Sequence, residues 1–328
     1  MRTSRRLLQV VLPGAMCLFL SAFGCGAGGK VSTSGVPTFD KARAWTNLTT
    51  QTGFGPRNPG SVGHEACRQW LLAQLQALSS DVTQQGFTYT TKDTQTALAC
   101  ANLIAVFGAT PATDLSANGL LLAAHWDTRP VADQDPDMAK RDQAILGAND
   151  GASGVAVLLE VARQLHAKSP SRPVLVAFWD LEDSGSTPMT TGETLYGFCI
   201  GSRHFAANMG RLKPKESLLV DMIGDASPNY PREPNSVASN SALVDRVWSV
   251  GQALGFGSAF VNNAGPTMTD DHIPLIGAGV PSIDIIDFDY PGPNSNRYWH
   301  TTGDTPDHCD AESLRMVGQT LLQVIYGG

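Results

Sequence analysis

A short apolar segment that ends in a group of acids constrains the fold of this chain more than any other feature. Residues 174–179 (VLVAFW) are all apolar, and the carboxylates Asp180, Glu182 and Asp183 follow them. An apolar run of this length is typical of a buried strand. Because ligands of α/β proteins bind beyond the carboxyl ends of such strands, we expect a bound cation to keep these acids ionised. The first turn of a helix, whose dipole favours acids, is the alternative interpretation.

Similar segments recur along the chain and alternate with helical patterns. Strands are predicted at residues 83–91, 101–107, 119–127, 174–178, 217–224, 259–262 and 281–288. Helical spacing of apolar residues covers 61–78, 155–165, 242–254 and 311–326, and shorter helices are expected near 202–209 and 271–277. This alternation predicts one α/β domain, a three-layer α/β/α sandwich around a mostly parallel sheet.

The first residues have the composition of an export signal. Three arginines precede the mostly apolar residues 7–23, which end in small residues and Cys25. This run is interrupted by Pro13 and is short for a membrane span. The tetrapeptide at 22–25 (AFGC) resembles a bacterial lipobox, in which the cysteine is lipidated, although alanine stands where leucine is usual. An ordinary signal peptide that is cut nearby remains the alternative.

These features predict three parts of the chain and an envelope location. We expect a signal peptide at residues 1–24, a flexible tether at 25–37 and one catalytic domain at 38–328. The protein would then be exported to the periplasm or cell envelope. Its membrane contact would be a lipid on Cys25, which would anchor it to the outer membrane.

Charge and cysteine content restrict the partners and the chemistry. The formal net charge is −7 and no basic stripe occurs, so a nucleic-acid partner is not expected. Four cysteines lie in the predicted domain, namely Cys67, Cys100, Cys199 and Cys309. In an oxidising compartment an even number suggests disulfides, while free buried thiols are the alternative. Without a Cys-x-x-Cys pair, a thiolate metal site is not favoured.

The acids and histidines at predicted strand ends and helix starts form a candidate metal site. They are His125, Asp127, Asp150, Glu182, Asp183, Asp221, Asp271 and His300. Oxygen and imidazole ligands without sulfur suit catalytic zinc. We choose Asp150, Asp183 and His300 as ligands, which leaves Glu182 as the general acid/base. For Asp150 alone, an ordinary helix N-cap is the competing interpretation.

The remaining histidines are given structural interpretations. His64, His166 and His308 are expected at the surface, His204 in a packing contact and His272 orienting a neighbour.

Seven motifs occur in the order seen in zinc aminopeptidase-like enzymes. They are HWD (125–127), GANDGASG (147–154), DLED (180–183), GSRHFA (201–206), DMIG (221–224), DDHIPL (270–275) and WHT (299–301). Several of them resemble the animal-type glutaminyl cyclases, also called glutaminyl-peptide cyclotransferases. The resemblance covers about residues 38–328.

The resemblance implies an activity and a role for each site residue. Animal-type cyclases convert the N-terminal glutamine of peptides and proteins to pyroglutamate with release of ammonia. The implied roles are one zinc ion on Asp150, Asp183 and His300, acid/base catalysis by Glu182, amine binding by Asp221 and Asp271, and substrate contact by Trp299 and His125. A monomer is expected.

Two departures from the cyclases and two rival functions remain open. Asp183 stands where animal cyclases usually have a longer glutamate, and the loop at 184–194 lacks their pocket tryptophan. A two-zinc aminopeptidase would use His125, Asp150, Asp183, Asp221 and His300 as ligands. A surface lipoprotein that only binds is the second rival, although binding alone would not require Glu182.

Overall fold

Most of the strands form one sheet, on which the candidate site is built. The computed structural model describes residues 31–91, 95–185, 197–292 and 295–327. Its strands are β1 (Val82–Thr90), β2 (Ala97–Phe107), β3 (Leu120–His125), β4 (Val174–Trp179), β5 (Glu216–Asp221), β6 (Tyr230–Arg232), β7 (Phe260–Ala264) and β8 (Ser282–Ile286). The order in the main sheet is β1-β2-β4-β3-β5-β8, and β6 pairs with β7 in a separate ribbon.

Helices lie between the strands. They are α1 (Lys41–Gly53), α2 (Val62–Leu78), α3 (Leu115–Asn118), α4 (Ala152–Ala167), α5 (Ile200–Ala207), α6 (Pro234–Gly251), α7 (His272–Gly277) and α8 (Ala311–Tyr326). Short 3-10 turns occur at Met138–Lys140, Gly210–Leu212 and Pro306–His308, and a π turn occurs at Gln252–Phe256.

The direction of the strands places several strand ends, with the loops that follow them, at one edge of the sheet. Strands β4, β3, β5 and β8 run parallel, whereas β1 and β2 form an antiparallel hairpin beside β4. Because parallel strands end at the same edge of a sheet, the residues that follow β3, β4 and β5 are brought together.

Successive residues of the central strands face opposite layers of helices. Leu120 and Leu122 of β3 pack with α1, α2, α4, α6 and α8 in the larger core. Leu121 and Ala123 pack on the other face with residues of α3, α5 and α7. This alternation, which follows from the period of two in a strand, confirms the predicted three-layer α/β/α sandwich.

Helix α1 was not predicted from the sequence. Its threonines and Asn47 are weak helix formers, and the helix has little apolar spacing. Asp40 caps it by accepting hydrogen bonds from the backbone N–H groups of Ala42 and Arg43, and Leu48 is buried against the larger core. Tertiary packing and the cap therefore outweigh the low propensity.

The prediction of disulfides is wrong. Cys67, Cys100, Cys199 and Cys309 are all free thiols, and the first three are buried. Each belongs to a different element or loop, and a buried free thiol behaves as a small apolar side chain with a weak S–H donor. Burial raises the pKa of Cys67 to about 12, which keeps its thiol protonated.

The described start of the chain contacts the last helix. Within the predicted tether, the carbonyl oxygens of Ser32 and Pro37 accept hydrogen bonds from Gln323 and Gln319 of α8. The predicted signal peptide and Cys25 lie outside the described residues, as does most of the loop at 184–194. In the part that is described, no helix has both the length and the apolar character that crossing a membrane requires.

The centre of β3 offers a test of the core. Leu122 is fully buried and is paired with Val176 on one side and Leu218 on the other. We expect Leu122→Ala to lower the free energy of unfolding by about 2–5 kcal/mol, because it leaves a cavity. Urea denaturation would measure the change. Thr88→Ala, at an exposed position of β1, is the control, and equal losses in the two variants would contradict the assignment of this core.

Candidate active site

The loop that carries Asp150 is shaped by two glycines. Gly147 and Gly151 have φ angles of +60° and +101°, which favour glycine. At Gly151 a Cβ atom would lie 2.5 Å from the carbonyl oxygen of Asp127. The residues GANDG therefore turn the chain sharply before α4 and hold Asp150 at the edge of the sheet.

Two buried charged residues fix the same loop. The Arg57 guanidinium donates to the carbonyl oxygens of Trp126, Leu146 and Gly147 at 3.1, 2.8 and 2.8 Å. The Asp304 carboxylate accepts from the backbone N–H of Asp150 at 3.1 Å. These contacts explain why the Gly- and Pro-rich segment that contains Arg57 lies beside the site.

A tight turn after β4 presents Glu182 and Asp183. Leu181 has a φ angle of +58°, which is unusual for a side chain of this kind. The Asp127 carboxylate stabilises the turn by accepting from the N–H groups of Glu182 and Asp183, at 2.9 and 3.3 Å. The N–H of Cys199 donates to the Glu182 carbonyl oxygen at 2.8 Å.

Asp150, Asp183 and His300 come together as a possible metal site. Each offers a ligand atom, and these atoms lie within 4.8 Å of one another. The His300 Nε2 atom is 3.0 Å from Asp183 Oδ1 and 3.8 Å from Asp150 Oδ2. Asp183 Oδ2 is buried without a hydrogen-bond partner in the described structure. Two buried carboxylates and one imidazole are groups that zinc binds in proteins. A bound zinc ion would also compensate the buried Asp183 oxygen that lacks a hydrogen bond, so the group fits this metal.

A second group of ligand type shares Asp150. The His125 Nε2 atom lies 3.1 Å from Asp150 Oδ1 and 3.2 Å from Asp221 Oδ1. Burial, the largest single effect, would lower the pKa of His125, but the carboxylates of Asp221, Asp127 and Asp150 together outweigh it and raise this pKa well above its usual value. The imidazole can therefore carry the positive charge that balances these carboxylates.

A small pocket opens beside the first group. Its volume is about 100 Å³. The polar lining residues are Asp150, Glu182, Asp183, Asp221, Thr269, Asp270 and His300, and the apolar ones are Phe198, Met222, Met268, Ile286, Phe288 and Trp299. Trp299 packs edge-on against Phe288, with ring centroids 5.1 Å apart. A cavity of this size accommodates one side chain rather than a length of peptide.

Glu182 lies in a setting that favours its protonated form. Its side chain is buried, and desolvation raises its pKa well above the usual value. The charges of Asp183 and Asp270 act in the same direction, while His125 opposes them. The Cys199 thiol donates to Glu182 Oε1 at 3.4 Å. A carboxyl group held in this way can both accept and return a proton.

The two consecutive acids after β7 differ in environment. Asp270 lines the pocket, and burial raises its pKa to about 7. Asp271 is fully buried behind the pocket lining and accepts a hydrogen bond from the Ser202 hydroxyl. Burial also raises the pKa of Asp271 well above its usual value.

The structure brings the predicted site residues to one edge of the sheet, but only some of them line the pocket. Trp299, Glu182 and Asp221 line the pocket, whereas His125 and Asp271 lie outside its lining. The sequence had not singled out the apolar residues Phe198, Met268 and Phe288. Hydrophobic residues in loops carry no periodicity, so only the tertiary structure identifies them as walls.

The predicted surface position of His64 is wrong. His64 is 3% exposed. Its Nε2 atom lies 2.8 Å from Asp180 Oδ1, and its ring stacks on Trp126 with centroids 4.4 Å apart. Asp180, the first acid after β4, is thereby engaged on the side of α2 and takes no part in the pocket. By contrast, His204 stacks on Phe87 as expected for a packing residue.

The fold and the site together define a class of protein. A mostly parallel α/β sheet whose carboxyl edge holds metal-ligand groups beside a general acid/base belongs to the zinc aminopeptidase-like proteins. The chain is a member of peptidase family M28, whose sequence profile matches residues 102–325.

Two solved structures and one curated protein illustrate the relationship. A Zn-dependent exopeptidase from Parabacteroides distasonis is 38% identical and has a TM-score of 0.82, over 89% of this chain and 99% of its own. The glutaminyl cyclase of Bacteroides thetaiotaomicron, bound to N-acetylhistamine, is 36% identical with a TM-score of 0.81, over 89% and 99%. Bovine (Bos taurus) glutaminyl-peptide cyclotransferase is 27% identical over 81% of this chain and 76% of its own. The family and the exopeptidase imply zinc as the metal.

Proposed function

We propose that the chain converts the N-terminal glutamine of peptides and proteins to pyroglutamate with release of ammonia. The observation that carries this proposal is a buried Glu182 that faces a one-residue pocket beside the Asp150, Asp183 and His300 group. Relatives named glutaminyl cyclase or glutaminyl-peptide cyclotransferase, which align over 89% and 81% of this chain, support it.

The reaction is an intramolecular acyl transfer. The substrate's α-amine attacks the carbon of its own side-chain amide, so a new nitrogen–carbon bond forms and the bond to the amide nitrogen breaks. Glu182 accepts a proton from the amine and delivers one to the leaving nitrogen, which departs as ammonia. Holding both groups in one small pocket supplies much of the rate gain, since oriented intramolecular attack has a large effective molarity.

The proposed metal site has one zinc ion on Asp150, Asp183 and His300. When bound there, zinc supplies a Lewis acid for the amide carbonyl. Asp221 at the pocket wall and Asp271 behind it are the acids proposed to hold the reacting amine. Trp299 forms an aromatic wall that excludes water, and water would otherwise give plain deamidation. His125, which lies outside the pocket lining, is proposed to act on the substrate through Asp221, 3.2 Å away.

A two-zinc aminopeptidase is the second candidate function. One specific observation favours it, namely that His125, Asp150 and Asp221 form another group with ligand atoms within 4.8 Å of one another. In that case Glu182 would activate a water molecule for cleavage of the first peptide bond. Relatives named glutaminyl cyclase favour the cyclase.

The location and assembly of the protein are part of the same proposal. We propose that residues 1–24 direct export to the periplasm or cell envelope and that Cys25 carries a lipid. The arginines before the apolar residues 7–23 support this proposal. The catalytic domain is proposed to act as a monomer on peptide or protein substrates.

Mass spectrometry of two synthetic peptides tests the activity. One peptide begins with glutamine and the other with leucine, and they are otherwise identical. Incubation of the zinc-loaded protein with the first peptide should remove one ammonia and the free amine while all residues are retained, because the amine is consumed in the ring. The leucine peptide should be unchanged, since it has no side-chain amide to attack.

Release of the first residue from either peptide would contradict the cyclase and support the aminopeptidase. If neither peptide changes, both catalytic proposals fail and the binding lipoprotein takes their place. The Glu182→Gln variant, run in parallel, shows whether any change observed comes from this protein and not from a contaminating enzyme.

A further inference from the structure

A buried arginine that follows β3 contacts one of the proposed zinc ligands. The Arg129 side chain is 2% exposed. Its Nη1 atom donates to the carboxylate oxygen Oδ1 and to the backbone oxygen of Asp183, both at 3.2 Å. One guanidinium nitrogen therefore fixes both the backbone and the side chain of this ligand. Asp183 Oδ2 is left without a hydrogen-bond partner among the described residues.

The rest of the guanidinium binds Asp133. Nε donates to Asp133 Oδ1 at 2.6 Å and Nη2 donates to Asp133 Oδ2 at 2.9 Å. This two-point geometry is specific to arginine, because a lysine ammonium offers no planar pair of donors. Arg129 is therefore held rigidly between Asp133 and Asp183.

Asp133 reaches a second proposed ligand from the opposite side. Its Oδ1 atom lies 3.5 Å from Nδ1 of His300, while Nε2 of the same ring faces Asp183. The distance is that of a close electrostatic contact and not of a formed hydrogen bond. A carboxylate beside the distal nitrogen of a metal-bound histidine favours the N–H on that nitrogen and thereby one orientation of the ring.

The segment that carries Asp133 is attached to the segment that carries His300. The N–H of Gln134 donates to the His300 carbonyl oxygen at 3.2 Å. Asp135 accepts from the N–H and the hydroxyl of Thr302, at 3.0 and 2.6 Å. These contacts hold His300 at its φ angle of +55°, which is unfavourable for a residue with a side chain.

We propose that Arg129 and Asp133 act together as positioning residues that orient two of the three zinc ligands, Asp183 and His300. The positive member lies beside the anionic ligand and the negative member beside the imidazole. The pair adds no net charge near the metal. This inference rests on the zinc site of the proposed function.

The test is the zinc dissociation constant, measured by competition with a chelator of known affinity. Arg129→Met and Asp133→Asn should each weaken zinc binding by about 10- to 100-fold, the usual cost of losing a partner of a metal ligand. The double variant should lose less than the product of the two effects, because the residues act as one unit. Arg129→Lys should not restore full affinity, since it keeps the charge and loses the two-point contact.

A matched pair elsewhere on the chain provides the control. Arg211 makes the same kind of two-point contact with Asp81 at the surface. Arg211→Met should leave the zinc dissociation constant unchanged. Unchanged zinc affinity in Arg129→Met and Asp133→Asn, even with a lowered Tm, would overturn the inference and leave a structural role only.

Failure of the zinc site itself would look different. Asp183→Asn should lose zinc binding in the same assay. If that variant retains full affinity, or if the unaltered protein binds no zinc, the proposed ligand set is wrong and the inference falls with it.

Discussion

Replacing Glu182 with glutamine is expected to reduce kcat by about 10²- to 10⁴-fold while the protein keeps its zinc. Glutamine has the same size and can occupy the same buried position, but it cannot take a proton from the attacking amine. The backbone contact with Asp127 that holds the turn involves the N–H of Glu182 and is unaffected by the change. Steady-state kinetics on an N-terminal glutamine peptide, with metal analysis of the same sample, would measure both quantities.

A second buried glutamate provides the control for this variant. Glu160 in α4 is 1% exposed and is hydrogen-bonded to Arg163 and Gln164, away from the pocket lining. Glu160→Gln should leave kcat unchanged. Full activity in Glu182→Gln would rule out this residue as the acid/base, whereas loss of zinc in the variant would point to Glu182 as a ligand.

The second large effect is expected on zinc binding. Replacements of the two site histidines, His300 and His125, should differ sharply in this quantity. His300→Gln should weaken zinc binding by more than about 100-fold, because it removes a ligand and not only a ligand's partner. His125→Gln should leave zinc binding intact, since the proposed single ion does not use this imidazole. The readout is zinc per chain after dialysis, measured by atomic absorption.

This pair of variants also decides the number of ions. Two zinc ions in the unaltered protein, with one lost in His125→Gln, would favour the two-zinc aminopeptidase over the cyclase. His204→Gln, at a ring that stacks on Phe87 away from the pocket lining, is the control for general effects of removing a histidine.

The sequence predicted correctly those helices and strands that have a local signal, such as a capping residue or an uninterrupted apolar run. Helices α2 and α8 begin where Ser61 and Asp310 cap them, and β4 is an uninterrupted apolar run. Helix α6 begins at Pro234, whereas the sequence predicted a start at residue 242. The predicted part lies after Asn240, which has a non-helical backbone conformation. The early part before this kink is polar and begins at Pro234, so it has no apolar spacing.

The candidate site was predictable to the extent that it depends on strand ends. Parallel strands end at one edge, and so Asp150, Asp183 and Asp221 were expected together. The contacts of Arg129 and Asp133 could not be predicted, because they depend on how a loop lies against His300, far away in the chain. His64 was misplaced for a related reason: its partner Asp180 belongs to another element.

The contact of the first helix with the last has a consequence for the order in which this protein is made. Helices α1 and α8 pack against each other and against α4 in the larger core. A ribosome makes α1 and α4 before α8, so the apolar faces of α1 and α4 have no complete partner until α8 has been made. The larger core can therefore close only after α8 has left the ribosome and covers these faces.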